Sequence, residues 1–181
     1  MDWYIDACPI INLYATGRLE EIIRALGLKV HVTPRVLAET KFVYQRHLLE
    51  RGNEIPVNLE PLFFNGSLVS ASPLTNEENT EFLNLAMLID DGEAEVMAAA
   101  IARGGGVITD DGKTLKKMPL LHPSLKMLTT ITLVKRWALQ VGLTPVQIRE
   151  VLLDIQIGGN FDPPRSEPER AWWLEMFHTD D

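Results

Sequence analysis

One cysteine, Cys8, is all that 181 residues carry, so no disulfide can form within the chain. That usage fits a reducing compartment, and a cytoplasmic location is expected. No uninterrupted apolar run approaches the roughly 20 residues that cross a bilayer as a helix. The first residues include Asp2 and Asp6 where a secretory leader would be basic and then apolar, so no leader is read there. Positive charge is in deficit: 17 basic against 25 acidic side chains give a formal net charge of −8. That balance argues against a protein that grips nucleic acid through general positive charge. It does not argue against an enzyme that meets phosphates through bound cations, because part of its acidity would then be ligand charge. There is no internal repeat and no low-complexity tract. What remains is an ordinary globular balance, 46% hydrophobic and 23% charged, enough for a self-sufficient core.

Along the chain, strand and helix patterns alternate. Trp3-Tyr4-Ile5 is short, aromatic and β-branched and reads as a strand ending at Asp6. A helix is expected over 10–26, with Gly17 inside it as a breaker and Gly27 as its stop. Leu28 to Val32 alternates as a second strand. Thr33-Pro34 is a strong helix start, threonine as N-cap and proline at the first helical position, for a helix running to about Leu49. Residues 51–73 are punctuated by glycine, proline and asparagine. They read as a loop-rich insertion, with a hairpin of Leu59–Phe64 and Ser67–Ala71. A helix from Thr75 to about Leu88 follows.

The helix opening at Asp90-Asp91-Gly92-Glu93 has an unusual composition. From Ala94 to Ala102 its one charged residue is Glu95, which leaves almost no polar face, so the helix is expected to be buried on nearly all sides. Val107-Ile108-Thr109 reads as a third strand closing on Asp110-Asp111. A short helix over 113–118, a strand over 125–128, and helices near 132–141 and 145–155 complete the pattern. Such alternation implies βαβ units and a parallel sheet.

Ligands of an open parallel sheet bind off the carboxyl ends of its strands. Asp6 and the pair Asp110-Asp111 fall at such ends, while Glu39 lies one turn into the helix begun by Thr33-Pro34 and Glu95 at the start of the buried helix. Each acid has an ordinary alternative. Asp6 and Asp111 can cap the helices that follow them, Glu39 can be a solvated helix residue, and Asp90 with Glu93 has capping-box spacing. Glu95 is the hardest to explain that way. It shares a helix face with Ala98, Ala99 and Ala102, where a carboxylate would be desolvated and no lysine or arginine lies nearby in sequence. Four separated acids converging on one sheet edge suggest a hard divalent cation held by oxygen ligands.

At this point the sequence resembles the PIN-domain family. The segments that carry the resemblance are Ile5-Asp6-Ala7-Cys8-Pro9-Ile10-Ile11-Asn12-Leu13, Val32-Thr33-Pro34-Arg35-Val36-Leu37-Ala38-Glu39, Asp91-Gly92-Glu93-Ala94-Glu95-Val96-Met97-Ala98-Ala99-Ala100, and Val107-Ile108-Thr109-Asp110-Asp111. Their order and spacing are similar to the family's along most of 4–157, closest to a prokaryotic branch with a Gly-Glu-Ala-Glu helix start. The resemblance implies a three-layer α/β/α fold with a central, mostly parallel sheet of four to five strands. The insertion at 51–73 and the tail after 162, with Pro163, Pro164 and Pro168, go beyond the minimal family domain, so the chain reads as a domain over 1–157 that contains the insertion, followed by a C-terminal appendage over 158–181. The resemblance also implies an endoribonuclease-type site that uses Mg²⁺ or Mn²⁺, with Asp6, Glu39, Glu95 and Asp111 as catalytic and metal-binding acids and Asp110 as a near alternative for the last. Thr109 falls where the family often has a hydroxyl beside the site. Two departures are Cys8, where many members carry serine or threonine, and glutamate rather than aspartate as the third acid.

The expected activity is hydrolysis of phosphodiester bonds in RNA. Lys113, Lys116 and Lys117, with Thr109, would meet the substrate; Arg18, Arg35, Lys41 and Arg46 are further candidates. The four histidines are read as surface or packing residues. A toxin of a toxin–antitoxin pair, with an antitoxin protein as partner, and a homodimer are what the resemblance implies for biology. The rival reading is a catalytically weak or inactive PIN-like module that binds RNA or protein, with the Trp172-Trp173 tail as a partner helix. A phosphatase with an aspartate nucleophile ranks below both, because position 8 is cysteine where Asp-x-Asp would be needed.

Overall fold

The computed structural model describes residues 1–44 and 54–178. The chain order is β1 (Asp2–Ile5), α1 (Ala7–Ala15), α2 (Leu19–Ala25), β2 (Lys29–Val32), α3 (Pro34–Glu39), β3 (Phe42–Tyr44), β4 (Glu54–Pro56), α4 (Glu60–Phe64), β5 (Leu68–Ser70), α5 (Asn76–Ala86), α6 (Asp91–Ala102), β6 (Gly106–Ile108), α7 (Gly112–Leu121), β7 (Met127–Leu128), α8 (Thr130–Val141), α9 (Pro145–Gly158) and α10 (Arg170–His178).

Five strands form one parallel sheet in the order β5-β2-β1-β6-β7, and β3 pairs antiparallel with β4 outside it. Helix α6 packs on β1 and β6 and carries α3 and α5 against its outer side. Helices α1, α2, α8 and α9 pack on one another as a second group. The architecture is three-layer α/β/α. The two central strands are apolar and buried, with Ile5, Val107 and Ile108 at 0% exposure, as a strand covered on both faces requires.

Several expected elements differ in detail. The helix over 10–26 is two helices, because Gly17 takes a left-handed φ of +67° and turns the chain between them. The helix from Pro34 ends at Glu39 and gives way to β3; its expected stretch over 45–49 lies outside the described residues, as do Arg46 and His47. The hairpin expected inside 51–73 is absent. Glu60–Phe64 is helical, and Leu68–Ser70 is the edge strand of the main sheet, parallel to β2. Segment 54–73 therefore contributes to the fold; residues 51–53 lie outside the described part.

The C-terminal segment is likewise not an appendage. Trp173 is 1% exposed, Phe161 is buried beside it, and both belong to the single core. Helix α6 matches its sequence: Ala94 and Val96 through Ala100 are all fully buried, and the small side chains let α6 lie close on the sheet.

Candidate active site

Asp6 follows β1 directly and caps α1, accepting a hydrogen bond from the Ala7 backbone N–H at 2.7 Å. It is 4% exposed. Burial pushes its carboxyl up to about 7, and the negative charges of Glu93, Asp110 and Glu39 push in the same direction, against the opposing effect of the Ala7 hydrogen bond. Among the described residues, no lysine or arginine counts among the main groups that act on it. Asp6 is thus a carboxylate kept uncomfortable by its neighbours, at the carboxyl edge of the sheet.

Thr109, at the end of β6, ties the edge together. Its hydroxyl donates to Asp6 Oδ2 at 3.4 Å and accepts from the Asp111 N–H at 3.2 Å. It has no exposed surface, so its expected contact with substrate is corrected: Thr109 positions acids and does not face a ligand. Asp111 caps α7 through Oδ1, which accepts from the Thr114 N–H at 2.7 Å. The capping alternative weighed for it is real, yet it bears on the same cleft, since its charge raises Glu93.

Asp110 has a different task. Its carboxylate accepts from Asn12 Nδ2 at 2.8 Å and from the Thr130 N–H and hydroxyl at 2.8 and 2.6 Å. Burial raises its carboxyl, and these three bonds resist that. With both oxygens committed, Asp110 is a clamp joining β6, α1 and the N-terminus of α8, which corrects its reading as an alternative metal ligand.

On α6, Glu93 rather than Glu95 faces the acids. Glu93 is half-buried; its carboxyl is raised by burial first, with its own backbone N–H opposing, and then by the charges of Asp111, Asp90 and Glu39. The capping box anticipated for it does not form, because Asp90 makes no side-chain cap bond and stands exposed, 3.8 Å from Lys113. Glu95 turns to the opposite flank, where Thr33 donates to its Oε2 at 2.6 Å. The third acid of the candidate site is therefore corrected from Glu95 to Glu93. The physical reason is helical geometry: two residues apart on an α-helix point roughly 200° apart.

Glu39, at the end of α3, is exposed, and its carboxylate lies against Gly92, where an added Cβ would fall 2.5 Å from Oε2. The absent side chain at 92 is what admits Glu39 to the cleft. Asn12, read only as part of a matching segment, proves to be a buried hub: besides Asp110 it reaches Cys8 Sγ at 3.5 Å, and its Oδ1 is buried without a partner. The Cys8 thiol is pushed up by burial and by Asp110 and Asp6, so it is held protonated.

The basic rim is partly committed. Lys117 donates to the Leu88 carbonyl at 2.8 Å, and Lys113 pairs loosely with Asp90. Lys116 is exposed. Sequence reasoning also missed Glu167 in the tail. It is 4% exposed, accepts from the Thr129 hydroxyl at 2.9 Å, and is raised mainly by burial and in part by Asp110. Ser166 nearby donates to the Gly112 carbonyl at 3.2 Å, which places the tail beside the start of α7.

Among the described residues, no three histidine, cysteine or carboxylate side chains stand in mutual coordination distance as a ready metal cage. No described helix is long and apolar enough to cross a membrane. Compared with known proteins, the chain matches no family model, no curated protein and no solved structure.

Proposed function

We propose that this chain is a PIN-like, Mg²⁺- or Mn²⁺-dependent nuclease that hydrolyses phosphodiester bonds in RNA. The observation that carries the reading is Asp6: buried at the carboxyl end of the central strand and pushed up to about 7 by burial and by three converging carboxylates. A hard divalent cation suits this donor set, which offers only oxygen. Such a cation keeps several waters and is commonly held by one or two carboxylates with substrate phosphate, so a complete protein cage is not required.

Asp6 and the free oxygen of Asp111, both tethered to Thr109, are the residues that would hold it. Once bound, it supplies Lewis acidity at the phosphate and a lowered pKa for the attacking water. Glu93, raised above the ordinary carboxylate range, is suited to take a proton from that water. Asp110 and Thr130 keep β6 and α8 in register beneath the site. Lys113 and Lys116 stand on the rim for backbone phosphates. A toxin role, an antitoxin partner and a homodimer rest on the family resemblance alone.

Asp6→Asn is the test. Mn²⁺-dependent cleavage of single-stranded RNA should fall at least about a hundredfold, the scale of losing one positioned catalytic group. Wild-type rates in the variant would remove the reading.

A further inference from the structure

On the flank of α6 away from Asp6 lies a second concavity, about 210 Å³, lined by Arg35, Pro73, Leu74, Asn79, Phe82 and Glu95. Its chemistry is not that of a metal site. The Phe82 ring supplies an aromatic face, with the Arg35 guanidinium 5.5 Å from its centre. Glu95 supplies a fixed carboxylate: Oε2 is held by the Thr33 hydroxyl at 2.6 Å, and Oε1 takes no hydrogen bond among the described residues. Arg35 makes an exposed ion pair to Asp91 at 3.2 Å, of the kind that holds a side chain only weakly.

The walls are held in place beforehand. Arg103 donates to the Ser72 and Pro73 carbonyls, each at 3.2 Å, and grips buried Glu78 in a two-pronged pair at 2.6 and 2.7 Å. Glu78 in turn closes the capping box that starts α5, the helix that carries Asn79 and Phe82. A flat aromatic face, a planar cation and an oriented carboxylate in a fixed recess are the parts that recognise an unstacked base.

We infer that this recess is a base-recognition subsite for guanine in single-stranded RNA, with Phe82 and Arg35 stacking the ring and Glu95 accepting from its edge. Guanine is the one common base with two adjacent donors, N1–H and the N2 amino group, that a single carboxylate can accept together. Adenine, cytosine and uracil cannot make that pair. Asn79 Oδ1 is left as an acceptor, because its Nδ2 is spent on the Thr75 and Leu74 carbonyls. The inference rests on the nuclease reading for its substrate. Pocket and acid cleft flank the first turns of one helix, and a helix with its side chains is about 10–12 Å across, a span an extended single strand covers within a few nucleotides.

Binding decides it independently of catalysis. Fluorescence anisotropy in EDTA would compare oligouridylates that carry one guanine, one hypoxanthine or one adenine with wild-type protein, E95Q and Phe82→Ala. Wild type should prefer guanine by about tenfold or more over both others. E95Q should lose the preference while still binding, and Phe82→Ala should weaken all three. Equal affinity for the three oligonucleotides, no binding at all, or a guanine preference that survives in E95Q overturns the subsite. A parallel assay of Mn²⁺-dependent cleavage reports on the nuclease reading alone: guanine preference without cleavage leaves the subsite standing and removes the nuclease.

Discussion

At Asp6 two unfavourable effects add: the carboxyl is taken from water, and like charges are brought up beside it. Its folded-state value of about 7 lies above the ordinary value of 3.8. A carboxyl raised on folding leaves stability fully present below its unfolded pKa and removes it as pH rises through the folded one. Between about pH 4 and pH 7 the metal-free protein should therefore lose about 4 kcal/mol through this residue, at roughly 1.4 kcal/mol per pH unit. Asp6→Asn does not titrate. In EDTA it should melt several degrees above wild type at pH 8 and close to wild type at pH 4. Equal melting temperatures at both pH values would show that Asp6 is not held against its charge. The strand-end position of Asp6 was legible in the sequence, because a short aromatic and β-branched run leads straight into it. Glu93 was hidden behind a plausible cap: the Asp90-x-x-Glu93 spacing satisfies the capping pattern, and spacing cannot tell whether the bond is made. Glu95 drew attention because its helix is otherwise apolar, but an apolar helix has two flanks and composition does not choose between them.

The elements converge because small groups leave room and one carboxylate bolts them together. Asp110 serves β6, α1 and α8 at once, through Asn12 Nδ2 and both the N–H and the hydroxyl of Thr130. Asp110→Ala leaves three buried donors without an acceptor and should cost about 3 kcal/mol, read as a lower urea midpoint with an unchanged slope. A change under about 1 kcal/mol would mean that water or neighbours replace it. The same residue shows a limit of strand-end reasoning. Asp110 and Asp111 are adjacent and chemically alike, and only the arrival of Asn12, 98 residues away in sequence, assigns one to structure and leaves the other facing the cleft. The central strands and the buried helix were readable because hydrophobic runs and period are local. Strand β5 was readable as a strand within Ser67–Ala71, but its pairing was not: its partner is β2, far off in sequence, and not the neighbouring segment.

Across the whole molecule, the chain's end belongs to its core. Trp173 packs at 86° to Phe161 and close to Phe177, while Glu167 and Ser166 reach the starts of α8 and α7. Trp173→Ala should cost about 3–5 kcal/mol, as deletion of a fully buried large side chain does. Unfolding by heat should stay a single transition, and a loss below about 1 kcal/mol would mark the tail as separable. The segment's prolines read as an appendage in sequence, and only the tryptophan pair hinted at docking. At this scale an acidic chain of net charge −8 gathers carboxylates at one sheet edge. The account's central claim is that this edge is a divalent-cation site built on Asp6 and Asp111. Titration calorimetry with Mn²⁺ at pH 8 tests it most directly. Wild type and Glu95→Gln should bind one or two ions, whereas Asp6→Asn and Asp111→Asn should bind at least about tenfold more weakly. Undiminished binding in both cleft variants, or no binding by the wild type, would contradict it.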